Sequence, residues 1–151
     1  MRLILQRVKA ASVEVAGERV ASIGQGILVL AGIEKGDGVD QVIRAADKLA
    51  GLRIFEDDEG RMNLDTSMVN GAILLVSQFT LAGSLAKGRR PSFDGAAPAT
   101  QAEPLVEALA SRLRESGIDV ETGRFGARME VQLVNDGPVT FVLDVPNKQR
   151  D

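Results

Sequence analysis

Apolar and polar positions change rhythm several times along this chain, and each change predicts an element. Residues 3–8, 12–16 and 19–23 are short β-rich runs, with Gly17-Glu18 reading as a hairpin turn between the last two. Residues 27–33 are apolar without alternation, the pattern of a strand covered on both faces and therefore central in its sheet. From Val39 the apolar spacing lengthens to three and four residues through Val42, Ile43, Ala46, Leu49 and Ala50. That predicts a helix capped by Asp37 or Asp40 and ending near Leu52. Residues 72–76 form a second fully apolar strand that runs into Ser77-Gln78-Phe79-Thr80. Thr100-x-x-Glu103 then reads as a capping box, with Leu105, Val106, Leu109 and Leu113 as the buried stripe of a second helix and Gly117 as its stop. Strand patterns return at residues 118–122, 129–134 and 139–145, and Asn135-Asp136-Gly137-Pro138 reads as a turn between the last two.

This order predicts one mixed α/β domain in three layers, helices on a sheet that packs against a second sheet. It spans residues 1–146, and residues 147–151 are expected to fray. At 151 residues the length suits a single domain. Two segments fall outside the regular pattern. Residues 82–99, rich in Gly, Pro, Ser and Lys/Arg, exceed the ~12–15 residues usual for a structureless connection. Residues 55–62 carry the acidic run Asp57-Asp58-Glu59, whose ligands do not alternate around a glycine as a calcium loop requires, so a solvated hairpin tip is the expectation.

Composition removes whole classes of mechanism. The chain has no His, Cys, Trp or Tyr. Without His or Cys, the chain itself cannot supply a Ser-His-Asp or Cys-His mechanism, a His-liganded zinc, a disulfide or a thiolate nucleophile. Catalysis falls to hydroxyls, carboxylates, Lys/Arg, backbone amides or the substrate. A formal charge of −3 and a pI near 5.1 argue against bulk-charge binding to DNA and leave only a local basic patch for any nucleic acid. No stretch has the length of a membrane span or the form of a signal peptide, and the cytoplasm is the expected address.

Three segments could carry chemistry. Ser77-Gln78-Phe79-Thr80 lies at the carboxyl end of a buried strand, where hydroxyls, an amide side chain and free N–H groups can meet an anion or a developing oxyanion. Taken alone it reads first as a strand that simply ends, with Phe79 in the core. Lys87-Gly88-Arg89-Arg90-Pro91-Ser92-Phe93 places three cations within four residues beside an aromatic ring, which fits phosphate contact as well as a plain solvated loop. In Asn135-Asp136-Gly137-Pro138-Val139-Thr140, Pro138 must sit at a turn or sheet edge, where neighbouring carbonyls are free to meet something.

Together these segments resemble the D-aminoacyl-tRNA deacylases, whose signatures are SQFTL, here Ser77 to Leu81, and NxGPVT, here Asn135 to Thr140. The first eight residues and Phe125-Gly126-Ala127-Arg128-Met129 are also similar to the family. The resemblance covers the chain to about Pro146. Many members have Tyr and Asn where this chain has Ala82 and Arg89, so loop contacts differ in detail.

The resemblance implies a homodimer that hydrolyses the ester joining a D-amino acid, or glycine, to the 3′-terminal ribose of tRNA, without a cofactor or metal. It implies a catalytic pocket at Ser77, Gln78, Phe79 and Thr80, in which N–H groups of Gln78, Phe79 or Thr80 meet the oxyanion and Thr80 positions the substrate, with acyl-enzyme formation on Thr80 as the alternative, and with Phe125 and Met129 as the apolar side. Gly137 and Pro138, in cis and from the other subunit, would read chirality through main-chain carbonyls. Lys87, Arg89 and Arg90 would meet tRNA phosphates. The alternatives are a noncatalytic tRNA-binding module of the same fold, or a carboxylate-metal hydrolase using Asp57, Asp58, Glu59 or Asp65.

Overall fold

Where the opening alternation breaks at Lys9-Ala10, the chain bends and continues as a strand. In the computed structural model, which describes residues 1–148, Arg2–Val15 is one strand, β1. Leu3 and Leu5 enter one core cluster and Val8, Ala11 and Val13 another, while Lys9 and Ala10 at the bend are exposed. Ala16 and Gly17, one residue earlier than expected, turn the chain into β2 (Glu18–Ile23) and then β3 (Gly26–Gly32). Both strands run back antiparallel along β1.

Next come α1 (Val39–Gly51), the small hairpin β4 (Phe55–Glu56) and β5 (Met62–Leu64), and β6 (Ala72–Ser77). A 3-10 turn at Phe79–Ala82, α2 (Ala99–Glu115), β7 (Asp119–Thr122) and β8 (Glu130–Asp144) complete the chain. The main sheet runs β2-β1-β3-β6-β7 with β8 on β1, so β3 is central, as its unbroken apolar run predicts. Ile27, Val29, Ile73 and Leu75 face the helices, against Val42, Leu49, Leu109 and Leu113. Leu28, Leu74 and Val76 face the other way, against Val8, Ala11, Val13, Ala21 and Ile23. The three layers are present, but the second sheet is not separate. It is the same six-stranded sheet folded over, because β1 bends from one layer into the other and β8 follows it.

Both helix starts differ from the expectation. At α1 the cap is Gly38, whose N–H donates to Gln41 Oε1 at 2.9 Å. Asp37 is occupied elsewhere: it accepts from the Glu34 N–H at 2.7 Å and from the Met1 ammonium at 2.8 Å. At α2 the cap is Pro98, whose extended backbone turns its carbonyl onto the N–H groups of Gln101 and Ala102, both at 2.9 Å. Helix geometry therefore starts before Thr100, which lies within the first turn and closes no capping box. The fold also reaches past Pro146. Asn147 is buried and donates to the Lys35 carbonyl at 3.1 Å, so it is part of the domain, and the rest of the expected tail, from residue 149, lies outside the described residues.

Candidate functional site

The carboxyl end of β6 is shaped by a single hydrogen bond. Ser77 pairs with Ala31 of β3, and the Gln78 N–H donates to the Ala31 carbonyl at 2.7 Å as the chain leaves the sheet. In the 3-10 turn the Leu81 N–H reaches Gln78 O and the Gly83 N–H reaches Thr80 O. The N–H groups of Phe79 and Thr80 find no acceptor among the described residues. Of the three amides the sequence offered to an oxyanion, Gln78 is thus already used and two are free. Gln78 Nε2 donates to Thr80 Oγ1, so the contact holds the hydroxyl oxygen and does not receive its proton. An amide cannot take that proton, so Gln78 does not make Thr80 a nucleophile. Phe79 is 58% exposed and no part of the core.

Below this turn lies a cavity of about 260 Å³, mostly apolar, bounded by Ala31, Ser77, Phe79, Ala102, Val106 and Phe125. The Gly123 N–H donates to Leu75 O at 3.1 Å and ties the segment after β7 to the sheet, which brings Phe125 into the wall. Met129 does not line this cavity. It packs in the other layer, with the cluster of Leu74 and Val76. Val106 was hidden from sequence reading because it read as part of the buried stripe of α2, and Ala102 was not singled out. The signal for Ala102 was a small residue in the first turn of the helix, where a larger one would fill the space.

The long loop has structure of its own. Ser84 and Ser92 exchange backbone hydrogen bonds at 2.7 and 2.9 Å, which closes residues 85–91 into a tip. Lys87, Arg89 and Arg90 are exposed on that tip and form no ion pair with a described carboxylate. Phe93 packs edge-on against Phe79, ring centroids 5.2 Å apart, so the basic tip is anchored to the 3-10 turn.

The Asn135 to Thr140 segment is not a turn between two strands. Gln6 pairs with Thr140 and Val8 with Asn135, so the four residues 136–139 stand opposite Arg7 alone and bulge from a strand that keeps its direction. Gly137 has φ +137°, where a side chain is strained, and an added Cβ would lie 2.7 Å from Val139 Cγ2. The Gly137-Pro138 peptide is cis, and both residues are exposed. Arg7 faces Ile27 across the sheet, while Ser77 pairs with Ala31. Bulge and 3-10 turn are therefore four residues apart along β3, about 13 Å, at opposite ends of the strand.

Comparison with known proteins identifies the family. The family described as D-Tyr-tRNA(Tyr) deacylase matches residues 4–144. The chain belongs to that family. It is 56% identical over 148 residues to a D-aminoacyl-tRNA deacylase of Geobacter sulfurreducens, covering 98% of this chain and 97% of the relative. It is 56% identical over 144 residues to one of Exiguobacterium sibiricum, covering 95% and 99%. Among solved structures, the c-Myc DNA Unwinding Element Binding Protein superposes with a TM-score of 0.90 at 39% identity, covering 97% of this chain and 99% of that one. A probable eukaryotic D-amino acid tRNA deacylase shares the fold, with a TM-score of 0.83 at 19% identity over 95% and 98%.

Within this family fold, Arg7 is the residue that sequence reading missed. Its side chain is 6% exposed. Nη1 donates to the Ile54 carbonyl at 2.8 Å and Nε to the Asp136 carbonyl at 3.1 Å, with Glu56 and Asp136 carboxylates at 3.7 and 3.6 Å. A cation opposite the bulge thus holds its first residue from behind. The available signal was an arginine where strand alternation calls for an apolar side chain, after Leu3 and Leu5.

The acidic run serves its own hairpin. Asp57 Oδ1 accepts from the N–H groups of Glu59 and Arg61, and Oδ2 from Asn63 Nδ2. The Arg61 N–H is the main cause that lowers the Asp57 pKa from the ordinary carboxylate value. Its oxygens are engaged in shaping the tip, which is the solvated turn the sequence predicts.

Proposed function

We propose that this chain hydrolyses the ester between a D-amino acid, or glycine, and the 3′-terminal ribose of tRNA, as a chiral proofreading step in translation. The observation that carries the reading is the pair of unpaired N–H groups at Phe79 and Thr80, set over an apolar cavity with no general base bonded to the Thr80 hydroxyl. Two such donors suit the oxyanion of an ester undergoing attack, worth ~3–4 kcal/mol each when well placed. The ester is already activated, and the neighbouring ribose hydroxyl of the substrate can assist water. The protein's part is position and electrostatics. Ser77 and Gln78 hold the terminal nucleoside or its ribose, Phe79 and Phe125 bound the apolar side, and Thr80 orients the ester through its hydroxyl.

The chirality filter comes from a second copy of the chain. Gly137 and Pro138 lie too far from their own chain's turn to reach its substrate, and exposed Val134, Phe141 and Val142 on the same strand supply an apolar surface for a partner. Their carbonyls meet the α-ammonium, and crowding at Cα excludes an L side chain while D side chains point away. Backbone groups suit this task because they read the configuration at Cα without selecting a side chain. A homodimer follows, and a cytoplasmic site of action beside translation. The α/β domain has no helix among its described residues long and apolar enough to cross a membrane.

The deciding experiment is hydrolysis of paired D- and L-aminoacyl-tRNA by the purified protein. Rapid turnover of the D ester with negligible turnover of the L ester is expected, and equal rates would sink the proofreading reading. The basic tip gives a second expectation. Replacing Lys87, Arg89 and Arg90 together by Ala should flatten log K for tRNA against log salt by about 2, at ~0.7 per phosphate on a single strand. An unchanged slope would remove the tip from the tRNA interface.

A further inference from the structure

Asn135 stands at the base of the bulge that carries Gly137 and Pro138, and one side chain there spans the bulge. Its Oδ1 accepts from the Val139 N–H at 2.9 Å, and its Nδ2 donates to Thr140 Oγ1 at 3.0 Å. Thr140 Oγ1 also receives Gln6 Nε2 from β1 at 3.4 Å. The first residue of the segment is thus bonded to its last two, and Thr140, the last, to the sheet. Arg7 holds Asp136 on the incoming side. Asn135 holds Val139 on the outgoing side, and Gly137-Pro138 lies between these two anchors.

We infer that Asn135 is a positioning residue for stereochemical discrimination: its side-chain amide, clasping Val139 and Thr140, sets where the Gly137 and Pro138 carbonyls point. The inference rests on the reading that these carbonyls meet the substrate. The physical reason is the number of residues left without ladder partners. Residues 136–139 oppose a single residue of β1, so strand pairing does not hold them. A D and an L ester differ only by exchange of a hydrogen and a side chain at one carbon, so the filter works only while the carbonyls stay within a few tenths of an ångström. An amide is suited to the clasp because one planar group both accepts and donates. Asp is a workable substitute: its carboxylate accepts the Val139 N–H, and the Thr140 hydroxyl can reverse and donate to it. Ala removes both bonds.

The test measures kcat and KM on D- and L-aminoacyl-tRNA for the full-length wild type, Asn135→Ala, Asn135→Asp, Thr140→Val and Gly137→Ala, with a thermal midpoint for each. Asn135→Ala is expected to lose about 10- to 100-fold in D turnover, as misplacement of a positioning group by an ångström does, and to raise the L-to-D ratio by at least about tenfold. Asn135→Asp should recover D turnover to within about threefold of wild type, and Thr140→Val, which keeps the Val139 bond, should fall between. If Asn135→Ala does not fold, Thr140→Val alone decides, by a raised L-to-D ratio at an unchanged thermal midpoint. A ratio changed in Gly137→Ala but not in Asn135→Ala or Thr140→Val overturns the role of Asn135 and leaves the chirality reading standing. A ratio unchanged in all variants, Gly137→Ala included, overturns both. Equal loss on both esters in the Ala and Asp variants, with a lowered thermal midpoint, assigns Asn135 to stability alone and also overturns the inference.

Discussion

Arg7→Ala is expected to destabilise the protein by about 3 kcal/mol and to lower kcat/KM on D-aminoacyl-tRNA by about 100-fold. The guanidinium is buried and gives charged hydrogen bonds to two carbonyls on different segments, Ile54 before the β4-β5 hairpin and Asp136 in the bulge. Truncation leaves both carbonyls without that donor and opens a space where the side chain lay. Glu56 is 56% exposed and regains water when the cation goes, so the ion pair itself contributes little of the loss. Activity falls along with stability because Asp136 precedes the Gly137-Pro138 carbonyls, and its release lets them drift. Arg7→Lys keeps the charge but not the fork that reaches two acceptors at once, and should recover only part of either loss. Urea unfolding and steady-state kinetics check both halves. Full activity in Arg7→Ala would show that the bulge needs no support from behind.

A second large effect is expected at a glycine far from any chemistry. Gly26 pairs with Ala72 where β3 and β6 run parallel, and a Cβ built there would sit 1.8 Å from the Ala72 carbonyl oxygen. Backbone cannot rotate aside as a side chain would, so Gly26→Ala must separate the two central strands. The expected loss is at least about 3 kcal/mol, the upper range for overpacking, with much of the protein insoluble on expression. Gly24 provides a control two residues away. Nothing lies within 4 Å of its added Cβ, and Gly24→Ala should stay within about 0.5 kcal/mol of wild type. Comparable denaturation midpoints for the two variants would contradict the close approach.

How much of this was legible in the chain varied with the range of the interaction involved. The apolar runs of β3 and β6 announced their central, doubly covered place, because burial on both faces demands apolar side chains at every position. The stripe Leu105, Val106, Leu109 and Leu113 located α2, but its start was misread. Thr100 and Glu103 had the right spacing for a box, and only the extended backbone of Pro98 decided that the helix begins earlier. The bend of β1 was legible as a broken alternation at Lys9-Ala10 yet was read as an interruption between two strands. A strand that changes layers and a strand that ends look alike until the partner across it is known. For β1 the partner is β8, which pairs with both halves.

The site divides in the same way. Ser77 to Leu81 and Asn135 to Thr140 pointed to the family, but the second of them was read as a turn between two strands and is a bulge in one. What residue types alone established was a negative with consequences. A chain with no His and no Cys is left with hydroxyls, carboxylates, Lys/Arg, backbone amides or the substrate, and the amides of Phe79 and Thr80, without an acceptor among the described residues, are among these groups. Only tertiary structure decided which amides are free, since the Gln78 N–H is lost to Ala31 on a strand some forty-seven positions earlier in the chain. Only tertiary structure put Arg7 behind Asp136, Ala102 beneath Phe79, and the bulge at the far end of β3 from its own chain's turn. The reason is physical. Burial and periodicity are properties of neighbouring residues and are written along the chain, whereas a hydrogen-bond partner, a cavity wall or the distance between two motifs exists only after strands from distant positions have paired.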